Sequence, residues 1–554
     1  MGQIYAEAES NASLLAIAEA HQFMWPEAKY TQRTMLTRIN AAKCIGIDAV
    51  GVSVETDITH GIGIHLVGLA DTAVKESLLR VLTAMESLGH RIPGRKIVIN
   101  LAPADLRKNG SGYDLPIAAG ILASAMESPP PRIGECLLMG ELGLDGSLRP
   151  VPGALIYAEY AAKRGLGAII LPRLSALEAC ETRGIEVYGA GTLDDAMGIL
   201  SADPQLCSDC LVSGRVAGSL RQCAAGGDIP DFADIVGQRG AKRALEIACA
   251  GSHNVMMIGP PGSGKSTLAK AVAGILPPMT PEESLRVSKI YSVYGERTGN
   301  PGLVRRRPFR SPHCSVSVSA MIGGGGSDNI VPGEVSLADC GVLFLDEFAL
   351  LSRPVIEALR APLEDRRVTV SRLRSKVEFP ASFMLIAASN PCPCGYYGEG
   401  DRCTCTPYRR EEYISRLSGP VMDRIDIQVR VRAVEASELR SRAKCEGSRE
   451  VAARVARARE LQRLRFKGES IAANAEMNNR QIERFCPLSP DCRKALESVV
   501  CRSGLSMRAY YRLVKVARTI ADLESCAAGQ AVGIEPRHIL EAAGYRFLDK
   551  IGGR

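Results

Sequence analysis

The stretch that decides the fold is Val255-Met-Met-Ile-Gly-Pro-Pro-Gly-Ser-Gly-Lys-Ser266, an apolar run followed by a glycine-rich turn. The turn has the pattern G-x-x-x-x-G-K-S, and residues 267–274 after it have a helical pattern. A strand, a glycine-rich loop and a helix in this order let backbone N–H groups converge on phosphate oxygens. The Lys265 amine can reach the β- and γ-phosphates, and the Ser266 hydroxyl can bind Mg²⁺. We therefore expect a nucleotide-binding α/β domain; a glycine-rich turn without a ligand is the alternative.

Two later apolar runs predict strands that end beside this loop. Gly341-Val-Leu-Phe-Leu-Asp-Glu347 ends in two carboxylates, and Phe383-Met-Leu-Ile-Ala-Ala-Ser389 is followed by Asn390. The carboxyl ends of strands in an open α/β sheet form its ligand-binding edge. We expect Asp346 to hold Mg²⁺, Glu347 to polarise the attacking water and Asn390 to orient it, which predicts an ATPase with ATP and Mg²⁺ as cofactors. The residues expected to bind the nucleotide or its Mg²⁺ are Gly259, Pro260, Pro261, Gly262, Ser263, Gly264, Lys265, Ser266, Thr267 and Asp346.

Two arginines are candidates for contacts with the γ-phosphate. Arg424 lies at a predicted helix end after the third strand, and Arg508 opens a predicted helix in the basic C-terminal region. Phosphoryl transfer gains most from cations that reach the γ-phosphate only in the assembled state. For both residues the alternative is an ordinary surface arginine, because the assignment depends on order and spacing and not on residue type.

The composition is that of a folded protein with about three or four domains. The 554 residues are 46% hydrophobic and 23% charged, and only 5% are aromatic, which argues against extensive base stacking. No apolar run approaches the ~20 residues of a membrane span. Glu7, Glu9 and Glu27 lie where a signal peptide would carry positive charge. We expect a cytoplasmic protein with no membrane partner.

The net charge of +7 is concentrated near the C-terminus. Residues 451–554 carry 19 Lys and Arg against 11 Asp and Glu, so this segment accounts for the whole excess. The asymmetry indicates a polyanionic partner, either a nucleotide or a nucleic acid, with a solvated helical surface as the alternative.

Changes in sequence pattern divide the chain into five segments. Short β-type runs alternate with helical stretches up to about residue 200, and an aperiodic stretch follows before a second α/β pattern. The predicted segments are an N-terminal extension (1–33), an α+β domain (34–200), a linker (201–230), an ATPase core (231–432) with a Cys-rich loop (390–406), and a helical C-terminal domain (433–554).

Six further stretches are specific enough to suggest a family. They are Arg307-Pro-Phe-Arg-Ser-Pro-His313, Pro332-Gly-Glu-Val-Ser-Leu337, Leu363-Glu-Asp365, Asn390-Pro-Cys-Pro-Cys-Gly395, Ser418-Gly-Pro-Val-Met-Asp-Arg-Ile-Asp426 and Ala517-Arg-Thr-Ile-Ala-Asp-Leu523. Together with the motif order of an AAA+ ATPase, they resemble the ComM/YifB family, which is often described as magnesium-chelatase-like. The resemblance implies a P-loop AAA+ module with a helical lid, assembled as a homo-oligomer, a hexameric ring. It also implies a DNA helicase that promotes branch migration during natural transformation.

Within this resemblance, a predicted hairpin is the candidate for DNA contact. Its strands flank a basic tip that carries Arg372, Arg374 and Lys376. Such a tip can enter a ring pore and bind phosphates of single-stranded or branched DNA without reading sequence. An exposed charged turn is the alternative.

Four cysteines lie close together on a polar loop. Cys392-Pro-Cys394 and Cys403-Thr-Cys405 supply four thiolates, enough for a tetrahedral zinc site that would hold a loop without its own core. The alternative is four free thiols near the nucleotide site. The lone C-x-x-C at Cys207 and Cys210 is treated as incidental.

The domain before the ATPase core resembles the fold of Lon proteases, through Lys108-Asn-Gly-Ser-Gly-Tyr-Asp114 and the glycine-rich residues 140–153. A Lon-type peptidase needs a serine nucleophile activated by a lysine of lowered pKa. Leu155 occupies the position of that lysine, and Ser111 is offset from the family serine. We therefore expect a non-proteolytic ring or DNA-binding module, unless a lysine such as Lys108 replaces the missing base.

Three functions compete at this stage. An ATP-driven DNA motor is favoured. A chelatase-type ATPase would use the same ring to remodel a partner protein, although the chain shows no acidic metal-binding accessory domain. A protease–ATPase fusion is opposed by Leu155. DNA-stimulated ATP hydrolysis would separate the first function from the other two.

Overall fold

The structure is a computed structural model of the chain. The residues that it describes are 36–68, 72–212, 229–296, 302–326, 330–372, 375–398, 402–417, 421–433, 446–503, 505–528 and 532–547. The predicted N-terminal extension therefore lies outside the described residues, as does Arg374.

Eighteen strands are present in the described part of the chain. They are β1 Thr37–Ile45, β2 Asp48–Thr59, β3 Gly63–Val67, β4 Lys96–Ala102, β5 Cys136–Leu138, β6 Glu141–Leu142, β7 Leu148–Arg149, β8 Ala168–Pro172, β9 Glu186–Ala190, β10 Val255–Ile258, β11 Phe309–Arg310, β12 Gly323–Gly325, β13 Ile330–Pro332, β14 Val342–Leu345, β15 Arg367–Arg372, β16 Ser375–Pro380, β17 Met384–Ser389 and β18 Ile427–Arg430.

The helices are spread over both α/β regions and the C-terminal region. They are α1 Thr72–Ser87, α2 Asp114–Ala125, α3 Ala154–Lys163, α4 Arg173–Ala179, α5 Leu193–Leu200, α6 Pro204–Cys210, α7 Arg239–Gly251, α8 Lys265–Ala271, α9 Pro281–Tyr294, α10 Val318–Ile322, α11 Glu334–Leu337, α12 Arg353–Ala358, α13 Arg360–Asp365, α14 Pro407–Leu417, α15 Ser448–Arg465, α16 Asn479–Phe485, α17 Pro490–Ser503, α18 Met507–Ala528 and α19 Pro536–Gly544.

The N-terminal unit is built on a seven-stranded mixed sheet with the order β3-β4-β2-β1-β5-β8-β9. Residues of β2 are buried at every second position from Val52 to Ile58, which is the period of a strand with one covered face. Helix α2 covers that face closely, because a Cβ at Gly120 would lie 2.6 Å from the Thr56 hydroxyl oxygen. All five residues of β8 are buried, as expected for a parallel strand covered on both faces.

The predicted linker begins with a helix that the sequence pattern did not indicate. Asp203 caps α6 by accepting hydrogen bonds from the backbone N–H groups of Gln205 and Leu206, and Pro204 occupies its first turn. Cys210 at the end of α6 is buried. Residues 201–212 therefore pack onto the N-terminal unit, and residues 213–228 lie outside the described part of the chain.

The second α/β unit contains a parallel five-stranded sheet with the order β11-β14-β17-β10-β18. All of its pairings are parallel, with Val255 opposite both Ile386 and Ile427. The carboxyl ends of β10, β14 and β17 consequently lie side by side at one edge, where ligands bind in sheets of this kind. The prediction of an α/β fold is confirmed, and its sheet is parallel.

The C-terminal helices share a hydrophobic core with this parallel sheet. Val455 of α15 and Leu513 of α18 belong to the same buried cluster as Ile247 of α7 and Val429 of β18. The Gln428 N–H donates to the Tyr545 carbonyl over 2.8 Å. The helical segment is thus packed against the sheet in this chain, and its role as a lid stays a prediction.

The N-terminal unit contacts the second unit through α3 and α9. Lys289 of α9 forms an ion pair with Glu159 of α3, and the Gly153 N–H donates to the Ser292 carbonyl over 3.0 Å. Among the described helices, none combines the length and the apolar character that crossing a membrane requires.

Candidate functional site

The glycine-rich loop after β10 folds back over the start of α8. Gly262 and Gly264 have φ values of +73° and +88°, which favour glycine. Gly259 allows a close approach, because a Cβ there would lie 2.1 Å from the Val431 carbonyl oxygen. The Ser263 hydroxyl is buried and has no hydrogen-bond partner among the described residues. The loop therefore presents backbone N–H groups and an unpaired hydroxyl to a ligand at the α8 N-terminus.

The Lys265 ammonium lies inside this loop. It donates to the carbonyl oxygens of Gly259 and Pro260 over 2.8 and 2.9 Å, and to the Asn390 Oδ1 over 3.2 Å. Burial lowers the pKa of Lys265, and the carboxylates of Asp346 and Glu347 oppose that shift. The amine predicted to contact phosphate is thus held between the ends of β10 and β17.

The Asp346 carboxylate is hydrogen-bonded to the Ser266 hydroxyl. Ser266 Oγ donates to Asp346 Oδ2 over 2.7 Å, and the Glu347 N–H donates to Asp346 Oδ1 over 2.9 Å. Hydroxyl and carboxylate oxygens are the ligands that Mg²⁺ prefers, and two such groups are usual beside nucleotide phosphates. Glu347 has a φ of +49°, a left-handed conformation that turns the chain directly after β14.

Four of the residues predicted from three separate stretches therefore meet at one sheet edge. The structure forms two hydrogen-bonded pairs, Lys265 with Asn390 and Ser266 with Asp346, and Glu347 is adjacent to Asp346. Sequence reasoning did not single out Cys314, whose Sγ lies 3.9 Å from a carboxylate oxygen of Glu347.

Arg424 occupies a short 3₁₀ helix, Met422–Arg424, and its guanidinium is nearly buried. The guanidinium forms an ion pair with Glu364 of the same chain, while the Arg424 carbonyl accepts hydrogen bonds from Asn254 and Arg512 over 3.0 Å each. Arg508 is exposed at the start of α18. Hydrogen bonding to Arg424 lowers the pKa of Glu364, and the charge of Arg508 contributes. Glu364 is thus the partner of Arg424; it belongs to the stretch Leu363–Asp365, which the sequence singled out only through the family resemblance.

A buried network behind Arg424 also escaped sequence reasoning. Asp426 is almost fully buried; it forms an ion pair with Arg512 and accepts a hydrogen bond from the Asn254 N–H over 3.0 Å. Burial alone would raise the pKa of Asp426, but the charge of Arg512 holds it well below its usual range. His253 is buried beside Asp426, and its Nε2 lies 2.8 Å from the Thr519 Oγ1. The network ties the start of β18 to α18. Asp426 belongs to the stretch Ser418–Asp426, which the sequence singled out only through the family resemblance.

The four predicted cysteines meet in space, and their sulfur atoms all lie within 4.8 Å of one another. The Sγ of Cys392 lies 3.3 Å from that of Cys394 and 3.8 Å from that of Cys403, and the Sγ atoms of Cys394 and Cys403 are 3.7 Å apart. The Cys394 N–H points at the Cys405 Sγ over 3.4 Å. This geometry could hold a metal ion.

The predicted basic hairpin is present as β15 and β16, paired from Arg367 opposite Pro380 to Arg372 opposite Ser375. Arg372 and Lys376 are exposed near its tip, and Val370 and Val377 are buried. The neighbouring hairpin of β12 and β13 packs against it, since a Cβ at Gly324 would lie 3.4 Å from the Arg372 guanidinium.

The N-terminal unit does not assemble a serine–lysine pair at the predicted residues. Ser111 donates its hydroxyl hydrogen bond to Glu141, and the Lys108 amine donates to the Pro103 carbonyl. Burial lowers the pKa of Lys108, but the structure places no hydrogen bond between Lys108 and Ser111, both of which it describes. Leu155 is buried in the first turn of α3.

Three family models match consecutive parts of the chain. The model described as magnesium chelatase, subunit ChlI, matches residues 231–439, and the models of subunit ChlI and of its C-terminal region match residues 54–175 and 445–546. With the parallel sheet and the glycine-rich loop at its edge, these matches define a magnesium-chelatase-like AAA+ protein.

Relatives specify the family further. The protein YifB of Salmonella typhimurium is 39% identical over 93% of this chain and 98% of its own length. The competence protein ComM of Haemophilus influenzae is 38% identical over 92% of this chain and 96% of its own. The magnesium-chelatase 38 kDa subunit of Rhodobacter capsulatus is 27% identical over 37% of this chain and 59% of its own. The chain therefore belongs to the ComM/YifB family, which confirms the resemblance carried by its sequence motifs.

Proposed function

We propose that the protein is an ATP-hydrolysing ring motor that acts on DNA, a helicase that promotes branch migration during natural transformation. The observation that carries the proposal is the convergence of Lys265, Ser266, Asp346 and Asn390 at the carboxyl edge of the parallel sheet. Phosphoryl transfer is catalysed mainly by positioning and charge stabilisation, and these side chains supply both.

Each group at this edge has a distinct role in the proposal. The glycine-rich loop and Lys265 would bind the phosphates of ATP, and the buried Ser263 hydroxyl offers a further donor. Ser266 and Asp346 would hold Mg²⁺, which neutralises charge between the phosphates. Glu347 would accept a proton from the attacking water, and Asn390 would orient that water.

The DNA partner is proposed from the basic hairpin and from a relative's name. Arg372 and Lys376 carry exposed charge on a hairpin whose other face, with Val370 and Val377, is buried. The Haemophilus influenzae relative is named a competence protein. Contact of these side chains with phosphates would make binding independent of sequence.

The proposed assembly is a homohexamer in which each nucleotide lies between two subunits. Arg424 and Arg508 would then supply charge to the γ-phosphate, Arg424 at a neighbouring subunit's site. In this arrangement the helical C-terminal domain acts as the lid. The proposed location is the cytoplasm.

The N-terminal unit is proposed as a Lon-like module without peptidase activity. The Lys108 amine and the Ser111 hydroxyl bind to other groups, and Leu155 cannot act as a base. The domain boundaries proposed from the sequence are kept, with the qualification that residues 204–210 form α6.

A second candidate function is a chelatase-type ATPase that remodels a partner protein. It is favoured by the matches to the subunit ChlI models and by the likeness to the magnesium-chelatase 38 kDa subunit of Rhodobacter capsulatus. The two functions share the ATP and Mg²⁺ site and differ in what stimulates hydrolysis. We propose zinc at the four cysteines in either case.

The test is the steady-state rate of ATP hydrolysis with no DNA, with single-stranded DNA and with branched DNA. A DNA motor predicts stimulation by DNA, and the Glu347→Gln variant is the control for contaminating ATPases. A rate that DNA leaves unchanged would favour the chelatase-type function.

A further inference from the structure

The four-cysteine cluster has the dimensions of a tetrahedral metal site. Zinc–sulfur bonds of about 2.3 Å at tetrahedral angles place sulfur atoms ~3.8 Å apart. The three Sγ separations among Cys392, Cys394 and Cys403 are 3.3, 3.8 and 3.7 Å, and Cys405 lies within 4.8 Å of each. Three of the sulfur atoms thus have separations close to those around a single zinc ion, and the fourth lies within reach of the same site.

Other occupants of four thiolates fit less well. An iron–sulfur cluster holds several iron and sulfide ions between its cysteines and needs a wider cage than one atom does. A disulfide would require two of the sulfur atoms at about 2.05 Å, whereas all four cysteines are free and the Sγ atoms of Cys392 and Cys394 are 3.3 Å apart. Tetrahedral coordination of a single ion by four thiolates is typical of structural zinc sites.

The cysteine loop is also joined to the nucleotide site. Asn390, which accepts a hydrogen bond from Lys265, precedes Cys392 by two residues. Gly395, with a φ of +85°, lies against the glycine-rich loop, since a Cβ there would be 2.6 Å from the Pro261 Cδ. The cysteine loop is therefore next to two parts of the predicted ATP site, Asn390 and the glycine-rich loop.

The far end of the loop is anchored to α14. Cys405 precedes α14 by two residues, and the Arg410 guanidinium of α14 lies 4.5 Å from the centre of the Tyr397 ring. The hydroxyl groups of Tyr413 in α14 and Ser389 in β17 are 3.2 Å apart. An ion bound by both C-x-C pairs would link the segment that follows β17 to the segment that precedes α14.

We infer that Cys392, Cys394, Cys403 and Cys405 bind one zinc ion, and that this ion fixes Asn390 and the glycine-rich loop for ATP hydrolysis. The metal is structural: all four positions are taken by thiolates, so no open position is left for a substrate. The second half of the inference rests on the proposed ATPase function, and the first half does not.

The first test is metal analysis of the full chain purified without chelator. About one zinc per chain is expected for the wild type, and a value near zero for Cys403→Ser and for Cys405→Ser. Cys501→Ser is the matched control, because Cys501 is an exposed free cysteine on α17, and it should retain zinc. Wild-type protein with no bound metal, or with iron in place of zinc, would overturn the inference.

The second test compares ATP turnover in the same proteins. Small displacements of positioning groups lower rates by about 10²-fold, so a fall on the order of 10- to 100-fold is expected for Cys403→Ser. Circular dichroism of the variant should match the wild type. Zinc-free Cys403→Ser protein that hydrolyses ATP at the wild-type rate would refute the link to the nucleotide site. If the wild type hydrolyses no ATP but binds one zinc, the proposed function fails and the metal site stands.

Discussion

Glu364 and Arg424 of the same chain form an ion pair beside the amino ends of β10 and β18, whereas the glycine-rich loop follows the carboxyl end of β10. The Arg424 side chain is only 9% exposed, whereas that of Glu364 is 57% exposed. Glu364 therefore holds the guanidinium from the solvent side, and a phosphate of a neighbouring subunit would have to compete with an exposed carboxylate. Because the Glu364 carboxylate is more than half exposed, solvent screens its attraction to Arg424, and such a carboxylate is a weak competitor.

If Arg424 acts at the site of a neighbouring subunit, Arg424→Ala should bind ATP normally and hydrolyse it about 10³-fold more slowly, or worse. Loss of a transition-state cation affects turnover and not ground-state binding. Mixing Arg424→Ala with Lys265→Ala subunits should restore part of the activity, since some interfaces combine an intact Lys265 with an intact Arg424. Subunit exchange must be verified in the mixture. If its ATPase activity then does not exceed the sum of the two separate variants, Arg424 does not act between subunits.

Lys265→Ala and Glu347→Gln should fail in different ways. Loss of the Lys265 ammonium removes a phosphate contact and should weaken ATP binding. The Glu347→Gln variant should still bind ATP but should not hydrolyse it. Equilibrium binding of a fluorescent ATP analogue distinguishes the two. Wild-type affinity in the Lys265 variant would refute the role of the glycine-rich loop.

Much of the site could be predicted from sequence because its geometry is local. A strand followed directly by Gly259–Ser266 or by Asp346 delivers those groups to one sheet edge wherever the strands are parallel. The strands predicted at 255–258 and 383–389 are present as β10 and β17 within one residue. The C-x-C pairs are likewise local, and the loop is short enough to bring them together.

The remaining features depend on pairs that are distant in sequence. Glu364 lies 60 residues before Arg424, and Arg512 lies 86 residues after Asp426. No periodicity or spacing links such residues, because the packing of α13 and α18 against the sheet selects them. The helix α6 was missed because an Asp-Pro cap signal lay in a stretch without hydrophobic periodicity.

The buried Asp426 should contribute strongly to stability. Asp426→Asn leaves Arg512 without its charged partner, and breaking a buried pair costs about 3–5 kcal/mol of the free energy of unfolding. Asp423→Asn, an exposed substitution on the same turn, is the control and should have little effect. Chemical denaturation measures both.

The difference in the free energy of unfolding between the wild type and Asp426→Asn should depend on pH. The pKa of Asp426 is lowered in the folded state, so its contribution is fully present above the unfolded value of ~3.9 and is lost as the pH falls below it. The free energies of unfolding of the two proteins should therefore differ less well below pH 4 than at pH 7. An equally large difference at both pH values would contradict this.

Arg372→Ala and Lys376→Ala should each weaken DNA binding without regard to sequence. Each lost phosphate contact lowers the slope of log affinity against log salt by about 0.7–0.9. Arg367→Ala is the control, because Arg367 is exposed at the opposite end of β15 and pairs with Glu378. Titration of labelled single-stranded DNA at several salt concentrations gives the slopes. Equal slopes in all three variants would show that Arg372 and Lys376 do not contact DNA phosphates.

The central claim is that ATP hydrolysis at this site moves DNA strands. The most direct measurement follows a fluorescently labelled branched DNA as its branch point migrates, with wild-type protein and with Glu347→Gln. We expect migration by the wild type only when ATP and Mg²⁺ are present, and none by Glu347→Gln although that variant binds both ATP and DNA. Migration at equal rates in the two proteins, or ATP hydrolysis by the wild type with no movement of any branched substrate, would contradict it.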